Sequence, residues 1–128
     1  MSEVTVWKGF RENLVSIMGT VMNDPQYVQA EDGEWAFLTI RTIYLSVSQG
    51  GQYNEIHVDV PVVVNAPHIL KVVRNNIKAG RELYIKGYYR NWDSDGAQQH
   101  GIFATFTQLG RTPRDAGSTY APQTPSLP

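Results

Sequence analysis

The sequence contains no cysteine, which excludes disulfides, thiolate metal sites and a cysteine nucleophile. It also lacks an excess of positive charge. Eleven Lys and Arg stand against twelve Asp and Glu, for a net charge of −1 and a pI near 6.3. Proteins that coat duplex DNA are strongly basic, so any nucleic-acid surface here must be local, with the acids placed elsewhere. No stretch reaches the roughly 18 apolar residues of a membrane span. The N-terminus lacks the basic and apolar segments of a secretory leader. A soluble cytoplasmic protein with no membrane partner is the expectation. Catalytic signatures are missing too: there is no Gly-x-Ser-x-Gly, no His-Glu-x-x-His and no phosphate-cradling glycine loop. Neither an enzyme nor a cofactor is expected.

What is present is a strand-rich pattern in a chain of 128 residues, a length that suits one domain. Asn13 to Met22 alternates Val15, Ile17, Gly19 and Val21 on one face and reads as a strand. Asn23-Asp24-Pro25 and Glu31-Asp32-Gly33-Glu34 are turn signals. Trp35 to Ser46 is a long strand with Ala36, Leu38 and Ile40 inward and Trp35, Phe37, Thr39 and Arg41 outward. After a polar Ser48–Gln52 loop, Tyr53 to Val64 places Ile56, Val58, Val60 and Val62 inward and Glu55, His57 and Asp59 outward. Asn65 is positioned to cap a helix from about Ala66 to Lys78, in which Ile69, Val73 and Ile77 recur at helical spacing and Gly80 follows as a stop. Leu83 to Trp92 and Gln99 to Leu109 are strands joined by a turn at Asp93-Ser94-Asp95-Gly96. The four prolines of residues 111–128 mark a short disordered tail, leaving 1–110 as the domain.

Three strands, a helix and two more strands is the order of a five-stranded OB-fold barrel, all-β with one short helix. Such barrels bind oligonucleotides across their second and third strands and the adjoining loops. The candidate residues fit that use. Tyr84, Lys86, Tyr88, Arg90 and Trp92 alternate on one face of the fourth strand, mixing rings that stack on bases with cations that meet phosphates. On the outward face of the second strand lie Trp35, Phe37 and Arg41. Tyr44 and Tyr53 flank the flexible loop, and His57 offers a hydrogen bond to a base or phosphate. Stacking is thus expected from Phe37, Tyr88 and Trp92, with Trp35, Tyr44 and Tyr53 as further rings. Phosphate contact falls to Arg41, Lys86 and Arg90. Tyr84 and Lys86 fit a subunit contact equally well, and Tyr44 and Tyr53 fit ordinary cross-strand pairing. No metal site is expected. His57, His68 and His100 lack ligand spacing, and in Asn91-x-Asp93-x-Asp95-Gly96 the position of a calcium-binding Glu is held by Ile102.

Four segments in order resemble the bacterial-type single-stranded DNA-binding protein family. Asn13 to Gln26 resembles its opening strand with the Asp-Pro turn, and Gly33 to Ile40 its second strand. Lys78 to Gly87 resembles the helix exit and fourth strand, and Arg90 with Trp92 the hairpin that follows. The family's aromatic-His-basic triplet falls either on Ile56-His57-Val58 or, counted back from the helix, around Val60-Pro61. In either register one stacking ring is missing. The resemblance implies nonspecific binding of single-stranded DNA in replication, recombination or repair, by a homo-oligomer, with a tetramer favoured over a dimer. The family's acidic, aromatic-ended tail tip, which recruits repair proteins, is absent from Thr124–Pro128; this and the short tail suggest a divergent phage- or plasmid-like member. An OB-fold protein–protein adaptor of a replication complex is the alternative.

Overall fold

The computed structural model describes residues 12–112. Residues 1–11, and residues 113–128 of the expected 111–128 tail, lie outside those residues. Six strands and one helix follow in order: β1 (Val15–Val21), β2 (Gln26–Ala30), β3 (Gly33–Val47), β4 (Tyr53–Val64), α1 (Pro67–Asn76), β5 (Glu82–Ser94) and β6 (Ala97–Leu109). Five of them form a closed, mixed barrel in the order β1-β5-β6-β4-β3. Closure comes from β1 meeting β3 at Thr20↔Arg41 and Val21↔Ile40. The parallel step is β4 beside β6, at Val62↔Ile102 and Val63↔Phe103. This is the OB-fold expected from the element order. β2 is an additional strand, a short hairpin partner of β3 that ends the sheet. Its sequence offers little alternation, which is why the pattern did not mark it.

The inward residues behave as their period predicts. Val21, Ala36, Leu38, Ile40, Val62, Val64, Leu83, Ile85, Ile102 and Ala104 fill the barrel, and Ile69, Leu70, Val73 and Ile77 close it from the helix side. Asn65 does not cap the helix. Ala66 is the N-cap, no side chain bonds the first turn, and Pro67 starts the helix, where its missing N–H costs nothing. The turn residues do cross-chain work instead. Asn23 Oδ1 accepts the Thr39 N–H (3.0 Å) and Asp24 Oδ1 accepts the Ala79 N–H (2.9 Å), tying the β1–β2 turn to β3 and to the helix exit. Gly87 is required by close approach: a Cβ there would lie 2.1 Å from the Phe103 carbonyl oxygen.

Asp95 and Gly96 both take positive φ (52° and 78°), the backbone of a two-residue hairpin turn. That turn sets the β5–β6 register, including Tyr88↔Phe103 and Arg90↔Gly101. Because β4 and β6 run parallel, the β3–β4 and β5–β6 hairpin tips project from the same end of the barrel. Arg111, assigned to the tail by composition, is fixed to Glu82. Its Nε donates to Glu82 Oε2 at 2.9 Å, and the Glu82 N–H donates to the Arg111 carbonyl.

Candidate nucleic-acid interface

The outward face of the sheet carries a second apolar cluster, separate from the barrel interior. Trp35 and Phe37 of β3, Val63 of β4, Phe103 of β6 and Trp92 of β5 pack together, with Val28 and Ala30 of β2 at the margin. Phe103 is its hub. Trp35 and Trp92 meet that ring edge-on at 5.8 and 5.4 Å, and Tyr88 lies stacked on it at 5.5 Å. The Arg90 guanidinium sits 4.9 Å from the same ring centroid. The Trp35 indole N–H is also occupied, donating to Asp32 Oδ1 at 3.0 Å.

This packing corrects the expectation for three rings. Trp35, Phe37 and Trp92 are 6%, 2% and 6% exposed, so they present no open face to a base. Alternation correctly placed them outward, but outward is not the same as uncovered. For Trp35 and Phe37 the covering ring arrives from β6 across the parallel β4–β6 step, a pairing no local pattern contains. Phe103 was passed over because it stands between two interior residues, Ile102 and Ala104. Counting outward from the Asp95-Gly96 turn places it opposite Tyr88, and that count was the available signal.

Among the remaining candidates, Tyr88 and Arg90 are brought together. Both are exposed, both rest on Phe103, and they are cross-strand partners of Phe103 and Gly101. The buried ring holds them from below and leaves their outer surfaces to solvent. Arg90 and Lys86 form no ion pair among the described residues, whereas other arginines are committed. Arg74 is paired with Glu34 and lies over the Tyr27 ring, and Arg111 is held by Glu82. Arg41 makes a two-pronged pair with Asp59, its direct cross-strand partner, at 2.7 and 3.0 Å. Its charge is therefore matched, which weakens the expectation of a phosphate contact there. The Lys86 ammonium is 6.0 Å from both the Tyr84 and Phe106 rings.

Tyr44 and Tyr53 do not share a face. In the β3–β4 register Tyr53 pairs with Val47 and Tyr44 with Ile56, and directly opposed residues share a face while successive ones alternate. One face of this arm carries Ile43, Leu45, Val47, Tyr53, Glu55 and His57. The other carries Tyr44 and Ile56. His57 is outward and exposed, 3.9 Å from the Glu55 carboxylate.

No helix of the described residues is long and apolar enough to cross a membrane. No protein-family model and no curated protein matches the chain. Solved structures do. An SSB from Plasmodium falciparum in complex with ssDNA is similar over 87% of this chain and 100% of its own, with 17% identity and a TM-score of 0.68. A deletion mutant of the single-stranded DNA-binding protein from Thermus aquaticus matches 78% of this chain at 19% identity and a TM-score of 0.68. The present chain covers only 51% of that protein. A small single-stranded DNA-binding protein from Streptomyces coelicolor matches 80% of this chain and 96% of its own at 9% identity, with a TM-score of 0.61. The fold is that of the bacterial and organellar single-stranded DNA-binding proteins, an OB-fold shared at low sequence identity.

Proposed function

We propose that this chain binds single-stranded DNA without sequence preference, gripping it on the ridge formed by Tyr88 and Arg90. The observation that carries the reading is the Phe103-centred platform. It pre-positions an exposed ring and an exposed cation side by side, the pairing that stacks one base and neutralises the adjacent phosphate. Stacking of this kind contributes on the order of 1–3 kcal/mol per base, and pre-ordering the two side chains reduces what binding must spend on their entropy. The buried tryptophans act as the floor of the site rather than its contacts. The similar proteins named for single-stranded DNA binding support the same reading, which places this chain inside the cell, in replication, recombination or repair, as a homo-oligomer.

The test is fluorescence anisotropy of a labelled oligo(dT), read beside a duplex of equal length at two salt concentrations. Binding of the single strand that weakens with salt, with little duplex binding, is the expected result. No anisotropy change at low salt would sink the reading. A second reading, a protein–protein adaptor, is favoured by one feature, the apolar β3–β4 arm. It predicts stable assembly with no response to oligonucleotide.

A further inference from the structure

The barrel is closed at one end and open at the other. The helix α1, between the end of β4 and the start of β5, covers the first with Ile69, Leu70, Val73 and Ile77. Toward the hairpin tips both seams part. β1 pairs with β3 as far as Thr20↔Arg41, and β4 with β6 as far as Val62↔Ile102. Beyond those pairs the β3–β4 arm stands apart from β1, β5 and β6, and the interior face of each side continues past the core. On the arm, Thr42 and Tyr44 follow Ile40, with Val58 and Ile56 as their cross-strand partners. On the other side, Tyr89 is paired with the interior residue Ile102, and His100 follows on the same face. The Tyr89 and His100 rings lie 5.9 Å apart. Counting pairs from Tyr89 through β1 arrives at Ser48 of β3, and through β6 and β4 at Leu38. The midpoint of that stretch is beside Tyr44, which therefore faces Tyr89 across the opening. Tyr44 is 55% exposed and Tyr89 45%, so nothing among the described residues covers these rings. Barrel mouths lined by aromatic and aliphatic side chains are binding sites.

The chain itself reaches this opening. Asn13 stands at its rim, where the side chain donates to the Tyr89 carbonyl at 2.7 Å and accepts the Tyr89 N–H at 2.9 Å. A side chain here takes the place of a backbone rung, so the main chain leaves the β5 edge at this point. Residues 1–11 come before it, and the nearest ring among them is Phe10, three residues from Asn13. Three residues of extended chain reach about 10 Å, which matches the spacing of about 10 Å between facing sheets.

We propose that the segment before Asn13 crosses the open end of the barrel and seats the Phe10 ring between Tyr44 and Ile56 on one side and Tyr89 and His100 on the other. The barrel then has a plug at each end, the helix at one and Phe10 at the other. A ring in this position removes aromatic and methyl surface from water, which stabilises the domain. Tyr88 and Arg90 project from the opposite face of β5, so the plug leaves their ridge open. Plug and ridge are therefore independent of each other.

The absence of cysteine makes the test direct. Phe10→Cys is combined with Tyr44→Cys in one full-length chain and with Leu45→Cys in another, and each is oxidised mildly at low concentration. Tyr44 and Leu45 are both exposed but point to opposite faces of the arm. A disulfide within the chain for the Tyr44→Cys pair, and far less of it for the Leu45→Cys pair, is the expected result. Equal yields, disulfides only between chains, or none in either would overturn the proposal. Stability checks it independently. Phe10→Ala should raise the unfolding equilibrium constant about tenfold, as expected for one ring leaving apolar surroundings, and leave oligo(dT) affinity unchanged. Unchanged urea stability would count against the plug. So would a loss of oligo(dT) affinity with stability intact, which would put Phe10 on the DNA instead.

Discussion

Removing the Phe103 ring is the sharpest perturbation of the outer platform. Phe103 is 2% exposed and touches Trp35, Trp92 and Tyr88 at ring distances between 5.4 and 5.8 Å. Deleting such a ring to Ala costs about 3–5 kcal/mol through lost burial and the cavity left behind. The value should fall in the upper half of that range, because three aromatic pairs of about 0.5–1.5 kcal/mol each are lost together. A small domain holds only about 5–15 kcal/mol in all, so Phe103→Ala should shift the urea midpoint sharply downward, read by circular dichroism. Phe103→Leu separates stability from function. It retains most of the volume at a cost of about 1.5 kcal/mol or less, yet removes the flat surface beneath Tyr88 and Arg90. Oligo(dT) affinity should then fall about three- to tenfold, corresponding to the loss of one stacking and one cation–π contact. A Phe103→Ala loss under about 1 kcal/mol would refute the idea of an outer core. Wild-type DNA affinity in Phe103→Leu would refute the platform argument.

Two further outcomes follow from named contacts. The Asn13 side chain adds a false rung to the sheet, donating to the Tyr89 carbonyl at 2.7 Å and accepting the Tyr89 N–H at 2.9 Å; Asn13→Ala should cost about 1 kcal/mol and speed hydrogen exchange at the Tyr89 amide, and unchanged exchange would contradict the rung. Side-chain and backbone hydrogen bonds with Arg111, aided by its charge, lower the Glu82 carboxyl from 4.5 to about 2. A depressed carboxylate contributes stability that is complete above its unfolded value and is lost as pH falls from about 4.5 through about 2. Acid titration of stability should therefore lose part of its slope in that window in Glu82→Gln, and an identical acid limb would show that the pair does not contribute.

The sequence made the barrel legible because interior alternation is local. Val15 to Val21 and Leu83 to Ile85 announce their faces without knowledge of their neighbours, and the Asp95-Gly96 turn fixes a hairpin. The site was less legible because coverage of an outward face is decided between strands distant in sequence. Phe37 and Trp35 read as open until Phe103 arrives beside Val63. Arg41 read as a phosphate ligand until Asp59, 18 residues on, is found opposite it. Tyr44 and Tyr53 both flank the loop, yet the register sets them on opposite faces. Tyr88 and Arg90 stay exposed because their hairpin pairing lifts them onto a ring rather than under one.

Photo-cross-linking of an oligo(dT) carrying 5-iododeoxyuridine, followed by peptide mapping, tests the central claim most directly. Adducts concentrated on Tyr88, and lost in Tyr88→Ala with binding reduced, are the expected result. Adducts on Phe106 or Met18 with Tyr88 unlabelled would place the strand beside Tyr84 and Lys86 instead and contradict the assigned grip.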